Sequence, residues 1–397
     1  MTRDRQADYA PVFFFHARQM QEDTVQTRIL NIGDFTFESG ETLPNICLAY
    51  ETYGKLSAKR DNALLLFHAL TGSHHAHGYN AHLPEAGSFW REENHEGWWN
   101  LMIGPGKPLD TDKYFIICVN YLGSCYGSTG PASTAPDGEP WGSRFPMVNA
   151  NDQARAQIKV LDHFGIDRFY MVGPSLGGML SLCVANLWPE RIKSIIIIGS
   201  GYKPQIDHKL CGFEQVLAIE LDPAYQAGRY ALSAPPLRGL ALARIICHKL
   251  FTYQRGLEKR ARKGVVDGKG MLTWYKPTRN TESYMLHQGT KFAKRFDANA
   301  YIRIIELWTG FDFAAFSGTG DIDAAFRRFA EHKIPFMLFS ISTDCCFTPR
   351  SVSLFHRRLL KNGVDSRYKC IHSVKGHDSF LLEPELYQQE IAEYLSR

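Results

Sequence analysis

The sequence has no long hydrophobic run, no paired-cysteine pattern and no large excess of one charge. Apolar runs such as Ile195–Ile198 and Leu64–Phe67 are much shorter than the roughly 20 residues of a membrane-spanning helix, so no membrane span is predicted. A net charge of +4 is small for 397 residues and does not indicate a nucleic-acid partner. The apolar run Phe13–Phe15 near the N-terminus is too short for the core of a signal peptide. We therefore expect no signal peptide and a cytoplasmic location.

Metal and phosphate motifs are also missing. Nine cysteines are an odd number and lie in apolar stretches, which predicts reduced thiols rather than disulfides. Cys345-Cys346 lacks the spacing of a zinc site, and the histidines between His68 and His82 have no Cys, Asp or Glu among them. Gly104-Pro-Gly-Lys107 lacks phosphate-loop spacing. We therefore predict no bound metal.

Short apolar runs alternate with helix-type segments along much of the chain, which is typical of an α/β fold. The Ile/Val/Leu runs show no polar alternation, so they predict a mostly parallel central sheet covered by helices on both faces. Thr24–Phe37 and Ile46–Tyr53 do alternate and predict an antiparallel edge. The predicted strands are Ala63–His68, Tyr114–Asn120, Phe169–Gly173, Ile192–Gly199, Phe336–Ser340 and Tyr368–Val374. The predicted helices are Asn149–Phe164, Gly177–Leu187 and Pro384–Leu395.

One long segment breaks this alternation. Residues 203–316 are mostly helix-prone, contain the basic run Glu258–Lys263 and show no clear strand. We interpret them as a helical cap inserted into an α/β core made of residues 1–202 and 317–397. The two parts are expected to form a single catalytic unit.

A nucleophile is predicted in Gly173-Pro-Ser-Leu-Gly-Gly-Met179, which follows the strand Phe169–Val172 and opens a helix. Gly173, Ser175 and Gly177 match the G-x-S-x-G pattern that places a serine on a tight strand-to-helix turn. The glycines let neighbouring backbone approach this strained turn, and the helix start leaves N–H groups free beside the serine. We predict a nucleophilic Ser175 and assign the Leu176 N–H to an oxyanion hole.

An acid and a histidine follow in the chain order that such a serine requires. Asp344 follows the predicted strand Phe336–Ser340, and His377 follows the next one. Both lie where a strand gives way to a loop, the edge at which α/β sheets collect reacting groups. We predict that Asp344 orients His377 and that His377 removes the Ser175 proton. His372 is a rival base, but it falls within the predicted strand.

The second oxyanion donor is expected in the loop after an early strand. His68-Ala-Leu-Thr-Gly72 follows Leu64–Phe67 and fits this position. We assign the role to the Leu70 N–H.

Further ordered segments extend the pattern from about Tyr50 to Leu382. They are Leu48-Ala-Tyr-Glu-Thr-Tyr-Gly54, His68-Ala-Leu-Thr-Gly72, Gly97-Trp-Trp, Ile103-Gly-Pro-Gly-Lys107, Asp110-Thr-Asp112, Asn120-Tyr-Leu-Gly-Ser-Cys-Tyr-Gly-Ser-Thr-Gly-Pro131, Phe145-Pro146, the Ser175 turn, Gly239-Leu-Ala-Leu-Ala-Arg244, His287-Gln288, Arg295-Phe-Asp-Ala-Asn299 and Gly376-His-Asp-Ser-Phe-Leu381. In these segments the sequence resembles the homoserine O-acetyltransferase family, which has the α/β-hydrolase fold. The resemblance also implies a homodimer formed through the cap helices.

The resemblance implies a ping-pong acyl transfer in methionine biosynthesis. Ser175 takes the acetyl group from acetyl-CoA, the co-substrate, and His377 then activates the hydroxyl of L-homoserine, with no bound cofactor. The cap excludes water, which would otherwise hydrolyse the acyl-enzyme. L-serine as acceptor and succinyl-CoA as donor remain open, and a hydrolase with the same three residues is the alternative of another class.

The same resemblance implies the residues that bind the acceptor. Arg244, on the first cap helix, pairs with the amino-acid carboxylate, and Asp378 binds the ammonium group. A tyrosine normally follows the arginine by seven residues. The candidate here, Tyr253, is nine residues away and on a regular helix would face the other side.

Other departures concern the surroundings of the site. Pro174 and Leu176 replace the glycine and methionine that usually flank the family's serine, and Tyr121 and Tyr126 add aromatic bulk. We interpret Lys259–Lys263 as a solvated helix face in preference to a contact with CoA phosphates. Three cap residues are interpreted as structural ion-pair or turn residues: Arg295, Asp297 and Asp312.

Overall fold

The computed structural model describes residues 24–261 and 270–396. The predictions for the N-terminal segment, including the signal-peptide prediction, and for the last two residues of the run Lys259–Lys263 lie outside these residues. Within the two described ranges, no helix is long and apolar enough to cross a membrane.

The strands follow the predicted apolar runs closely. In chain order they are β1 (Arg28–Asn31), β2 (Phe35–Thr36), β3 (Thr42–Leu43), β4 (Cys47–Tyr53), β5 (Ala63–Leu66), β6 (Ile103–Gly104), β7 (Leu109–Asp110), β8 (Phe115–Val119), β9 (Phe169–Pro174), β10 (Ile192–Ile198), β11 (Phe336–Ile341) and β12 (Ser366–Ile371).

An eight-stranded sheet forms the centre, in the order β1-β4-β8-β5-β9-β10-β11-β12. The β1–β4 and β4–β8 pairs are antiparallel, and the remaining pairs are parallel. The expected antiparallel edge is therefore present. Parallel strands β5, β9, β10, β11 and β12 place their C-terminal ends at one edge, and the loops that follow β5, β9, β11 and β12 carry the predicted site residues.

Helices surround this sheet. In chain order they are α1 (Ala150–His163), α2 (Leu176–Leu187), α3 (Ile206–Glu220), α4 (Leu237–Phe251), α5 (Gln254–Arg260), α6 (Asn280–Ala293), α7 (Ala298–Thr309), α8 (Phe313–Phe316), α9 (Ile322–Glu331), α10 (Pro349–Lys361), α11 (Ser379–Leu382) and α12 (Gln388–Leu395).

Both faces of the sheet are buried, which explains the unbroken apolar strands. In β5, Leu65 packs into the apolar cluster that contains Leu180 of α2. Its neighbours Leu64 and Leu66 point to the opposite face and pack into the cluster that contains Ile391 of α12. All three leucines are fully buried. The predicted α/β sandwich is confirmed.

Two predicted elements differ from the structure. The run Thr24–Phe37 divides into β1 and β2, because Gly33 turns the chain with a φ of +76° and β2 pairs with β3 outside the central sheet. The predicted helix Pro384–Leu395 starts with a 3-10 turn over Pro384–Tyr387, and only Gln388–Leu395 is α-helical.

In the described part of the segment predicted as the cap, residues 203–261 and 270–316, there are six α-helices, α3 to α8. Helix α4 packs against both α3 and α6. Its C-terminal end lies near the 3-10 turn Gly376–Asp378, which carries His377. The helical segment thus covers the edge of the sheet where the predicted site residues lie.

Candidate active site

Ser175 occupies a strained turn between β9 and α2, with φ +53° and ψ −122°. A Cβ on Gly173 would lie 2.4 Å from the Gly177 carbonyl oxygen, so only glycine lets this turn close. A Cβ on Gly177 would lie 2.5 Å from Phe67 Cβ, so glycine is also needed for the chain after β5 to approach. Pro174 leaves the turn intact: it ends β9, and the Ser175 N–H donates to the Ile198 carbonyl oxygen at 2.8 Å.

Three side chains from three loops form a continuous hydrogen-bonded chain. His377 Nε2 lies 2.8 Å from Ser175 Oγ, and His377 Nδ1 lies 2.8 Å from Asp344 Oδ2. The other carboxylate oxygen of Asp344 accepts from the backbone N–H groups of Cys346 and Phe347 at 2.7 and 2.9 Å. Because a carboxylate only accepts, Nδ1 of His377 carries its hydrogen and Nε2 is left to accept from Ser175.

The surroundings of His377 tune its basicity. Burial lowers the pKa of the imidazole, but the charge and hydrogen bond of Asp344 and the charge of Asp378 outweigh it, so the pKa lies above the usual 6.5. The ring is enclosed by Phe251, Phe347 and Phe380, with centroids 5.6, 5.7 and 5.5 Å away. His372, the rival base, lies just after the end of β12 and is exposed.

The two predicted oxyanion donors lie on either side of the Ser175 turn. Leu176 is the first residue of α2, so its N–H has no acceptor within the helix. Leu70 lies in the loop after β5 and lines the same cavity as Ser175. Among the described residues its N–H has no hydrogen-bond acceptor. The close packing of Gly177 on Phe67 holds this loop against the start of α2.

A cavity of about 320 Å³ opens above Ser175 and His377. Its walls come from the loop after β5, the segment 93–98, helices α4 and α6, and the chain around His377. The lining residues are Ala69, Leu70, Thr71, Gly72, Ser73, His75, Glu93, Asn94, Glu96, Trp98, Ser175, Arg244, Phe251, Gln288, Lys291, Phe292, Arg295, His377, Asp378, Phe380 and Leu381.

Two of the three predicted acceptor-binding residues line this cavity. The Arg244 guanidinium lies 4.9 Å from the ring centroid of Phe292 and 5.8 Å from that of Phe251. Within the described ranges no carboxylate pairs with Arg244. Asp378 lines the cavity beside His377.

Tyr253 is not among the residues that line the cavity. Helix α4 ends at Phe251, Thr252 is extended, and Tyr253 precedes α5, so the helical-face argument does not apply to it. Its backbone instead packs on the His377 turn: a Cβ on Gly376 would lie 2.6 Å from Tyr253 N.

A buried network around Glu51 was missed by the sequence analysis. Glu51 Oε2 accepts from Tyr53 Oη at 2.7 Å and from His75 Nδ1 at 2.8 Å, and Oε1 accepts from Thr27 Oγ1 at 2.9 Å. His75 Nε2 donates to the His95 carbonyl oxygen at 3.0 Å. The two ring nitrogens of His75 thus face the Glu51 carboxylate and the His95 carbonyl oxygen.

This network joins β4 to two walls of the cavity, the loop that ends at His75 and the segment after Arg91. Burial raises the pKa of Glu51, but the hydrogen bond from His75 and the charges of His74 and His75 bring the pKa below its usual value. A glutamate within the apolar run of β4 was the signal that could have revealed it, because a buried carboxylate needs partners.

Several predicted structural roles can be compared with the structure. Asp297 caps α7 by accepting from the Ala300 N–H, and Asp312 caps α8 by accepting from the Ala314 N–H. Arg295 forms an ion pair with Glu93 at 3.4 Å, as expected of a structural residue, but it also lines the cavity, which was not foreseen.

The two tyrosines expected to add bulk beside the site do not line the cavity. Tyr121 is fully buried, and its hydroxyl donates to the His68 carbonyl oxygen. Tyr126 packs behind the cavity, where its hydroxyl contacts Arg295. Both brace the walls rather than narrow the space.

Across the described ranges, no group of three or more His, Cys, Asp or Glu side chains is placed to hold a metal ion. His68 stacks on Tyr121, and burial lowers its pKa to about 3. His74 lies in the Glu51 network, where burial lowers its pKa to about 4.

A mostly parallel sheet with a strained serine turn after β9 defines the α/β-hydrolase class of proteins. The sequence profile of the α/β hydrolase fold matches residues 62–384 of this chain. The homoserine O-succinyltransferase of Bordetella avium is 41% identical over 90% of this chain and 85% of that protein. The homoserine O-acetyltransferase of Natronomonas pharaonis is 36% identical over 92% and 90%.

A crystal structure of homoserine O-acetyltransferase from Bacillus anthracis is also similar, with a TM-score of 0.82 and 26% identity over 94% of this chain and 98% of that one. The chain therefore belongs to the homoserine O-acyltransferase family of the α/β-hydrolase fold. The predicted family, fold and enzyme class, an O-acyltransferase, are confirmed.

Proposed function

We propose that this chain transfers an acyl group from an acyl-CoA to the side-chain hydroxyl of L-homoserine, in the cytoplasm and in methionine biosynthesis. The observation that carries the proposal is the hydrogen-bonded chain Asp344–His377–Ser175 at the base of a cavity that is also lined by the guanidinium of Arg244. Family membership supports the same reaction class.

The geometry supports a two-step transfer. His377 Nε2 takes the proton of Ser175 as Oγ attacks the thioester carbonyl, and the Leu70 and Leu176 N–H groups stabilise the oxyanion. CoA leaves as a thiol with the proton held by His377. The homoserine hydroxyl then gives its proton to His377 and attacks the acyl-serine carbonyl. Ser175 Oγ leaves with that proton, which restores the enzyme.

The acceptor is held by its charged ends. Homoserine carries one carboxylate and one ammonium group. The cavity is lined by Arg244, which pairs with no carboxylate of the described residues, and by the acidic side chain of Asp378. The Arg244 guanidinium packs against the rings of Phe251 and Phe292, and a planar guanidinium suits bidentate binding of a carboxylate. Tyr253 does not line the cavity, so this proposal rests on Arg244 and Asp378 alone.

Two donors compete in this proposal. The sequence analysis predicted acetyl-CoA. Relatives named homoserine O-succinyltransferase reach 41% identity, against 36% for the relative named O-acetyltransferase, which favours succinyl-CoA. A succinyl group carries a free carboxylate, which an acetyl group lacks. Lys291 and Arg295 line the cavity in addition to Arg244 and could bind that carboxylate. Measuring kcat/KM with each thioester at fixed homoserine decides between them. A higher kcat/KM for acetyl-CoA than for succinyl-CoA would identify acetyl-CoA as the donor.

A transferase must keep water from the acyl-enzyme. Helices α4 and α6, within the proposed cap 203–316 on the core 1–202 and 317–397, supply Arg244, Phe251, Gln288 and Phe292 to the cavity wall.

The proposed function is tested by following thiol release from the donor with homoserine, with serine and with no amino acid. Sustained thiol release without an amino acid would instead identify a hydrolase. Faster thiol release with serine than with homoserine would identify serine as the acceptor.

We also propose a homodimer formed through the cap helices. Four apolar side chains on α3 and Leu221 directly after it are 42% to 73% exposed, and their spacing of three and four residues makes a continuous stripe: Ile206, Leu210, Phe213, Leu217 and Leu221. A second copy would cover this stripe. Replacing Phe213 with Asp should halve the mass measured by light scattering, whereas a monomeric native chain would refute the dimer.

A further inference from the structure

A basic groove begins at the mouth of the Ser175 cavity. It has a volume of about 610 Å³ and shares Glu93 and Lys291 with the cavity wall, so the two spaces adjoin at these residues. One face of helix α6 and the turn after it supply His287, Lys291 and Lys294, which are four and three residues apart. Arg91, in the segment before Glu93, also lines the groove.

The charges of this groove are only partly neutralised. Glu93 pairs with Lys291 at 3.6 Å and with Arg295 at 3.4 Å. In the two described ranges no carboxylate pairs with Arg91 or Lys294, and both side chains are exposed. Glu92, also on the groove, is exposed. The groove therefore presents the cations of Arg91 and Lys294 to solvent without a carboxylate partner among the described residues.

We propose that this groove binds the phosphate groups at the nucleotide end of the acyl-CoA, a site that rests on the function proposed above. The thioester must reach Ser175 at the base of the cavity, while the strongly charged phosphates are costly to desolvate and stay at the exposed mouth. Lys294 and Arg91 bind them by charge-assisted hydrogen bonds, and the slender pantetheine arm runs inward past Lys291.

The experiment compares a donor that has the phosphates with one that lacks them. Arg91→Glu and Lys294→Glu are assayed with acyl-CoA and with the matching acyl-pantetheine, which has the same thioester but no nucleotide. Lys159→Glu, an exposed lysine on α1 outside the groove, is the matched control. We expect the KM for acyl-CoA to rise about tenfold in each groove variant, from the loss of one charge-assisted contact. The KM for acyl-pantetheine should change less than about twofold, since it makes no such contact.

Inhibition by adenosine 3′,5′-bisphosphate provides a second readout. It should compete with acyl-CoA in the native enzyme and weaken about tenfold in the same variants, because they lose the same contact. Equal KM changes for both thioesters, or a change in the KM for homoserine alone, would overturn the proposal. Absence of turnover with either thioester in the native chain would instead reject the proposed function. Thermal melting and light scattering of each variant exclude misfolding and altered assembly as causes.

Discussion

His377 and Ser175 are 202 residues apart in sequence, yet Nε2 of the histidine lies 2.8 Å from Oγ of the serine. The contact forms because β9 and β12 end at the same edge of the sheet, each followed by a tight turn. Gly199, in the loop after β10, lies behind the pair: a Cβ there would lie 3.3 Å from both Asp344 Oδ2 and His377 Cε1. Backbone packing therefore fixes the distance on which the chemistry depends.

Replacing Ser175 with Ala should remove turnover while leaving the fold intact. We expect kcat to fall by at least about ten-thousand-fold, because no acyl-enzyme can form. Mass spectrometry after brief exposure to the acyl-CoA should find the acyl adduct on the peptide containing Ser175 in the native chain and none in the variant. Ser181→Ala is the control, since that hydroxyl only donates to the Gly178 carbonyl oxygen within α2. An adduct that persists in Ser175→Ala would reject the nucleophile.

The rate should depend on pH through His377. The imidazole must be neutral to accept the serine proton, so kcat/KM for the acyl-CoA should fall as the pH drops through a pKa that lies above 6.5. Asp378 helps to raise this pKa, so Asp378→Asn should move the fall to lower pH. Asp365→Asn, an exposed acid outside the cavity, should leave the profile in place. A native profile whose acid limb lies below pH 6.5 contradicts the prediction.

Arg244→Ala should weaken the second step and spare the first. The KM for homoserine should rise about 10- to 100-fold through loss of a bidentate charged contact, and Arg244→Lys should recover only part of it. The burst of CoA released before homoserine is added should be unchanged. Arg238→Ala is the control, because this arginine is on the same helix but is exposed and outside the cavity. It should leave the KM for homoserine unchanged. A reduced burst in Arg244→Ala would place the arginine on the donor side.

Glu51→Gln should destabilise the protein, because it removes the buried carboxylate that accepts hydrogen bonds from His75 and Tyr53. Breaking a buried pair costs about 3 kcal/mol, which thermal or urea unfolding at pH 7 would detect. The folded-state pKa of Glu51 lies below 4.5, so its stabilising contribution is present above that pH and is lost as the pH falls through the folded-state pKa. The difference in free energy of unfolding between the native chain and the variant should therefore shrink in acid.

Glu41→Gln, on the exposed β2–β3 turn, is the control and should have little effect on the free energy of unfolding. A variant as stable as the native chain at pH 7 would refute the role of the pair.

The fold and the three residues at the base of the cavity could be predicted because each has a local signal. Apolar runs without alternation mark strands buried on both sides, and the small residues around Ser175 mark a turn that only glycine allows. Chain order then selected Asp344 and His377, since both follow strands of the same sheet. Each of these signals depends only on neighbouring residues or on the order of the segments along the chain.

The composition of the cavity wall was not predictable in the same way. Glu51 reaches His75 across strands and loops that the sequence does not place side by side, and Glu93 meets Arg295 from separate segments. Tyr253 fell outside the cavity because α4 ends two residues earlier and the chain turns to pack on Gly376. Such positions depend on where helices end and pack.

The strand segments along the chain, the serine turn and the predicted set of Ser175, Asp344 and His377 were determined by the sequence itself, through signals that each lie within a few residues. Which charges face the cavity, and which are neutralised behind it, was decided only when the helices between β10 and β11 packed over the sheet. Burial and distance set the energy of a charge, and both are properties of the folded chain.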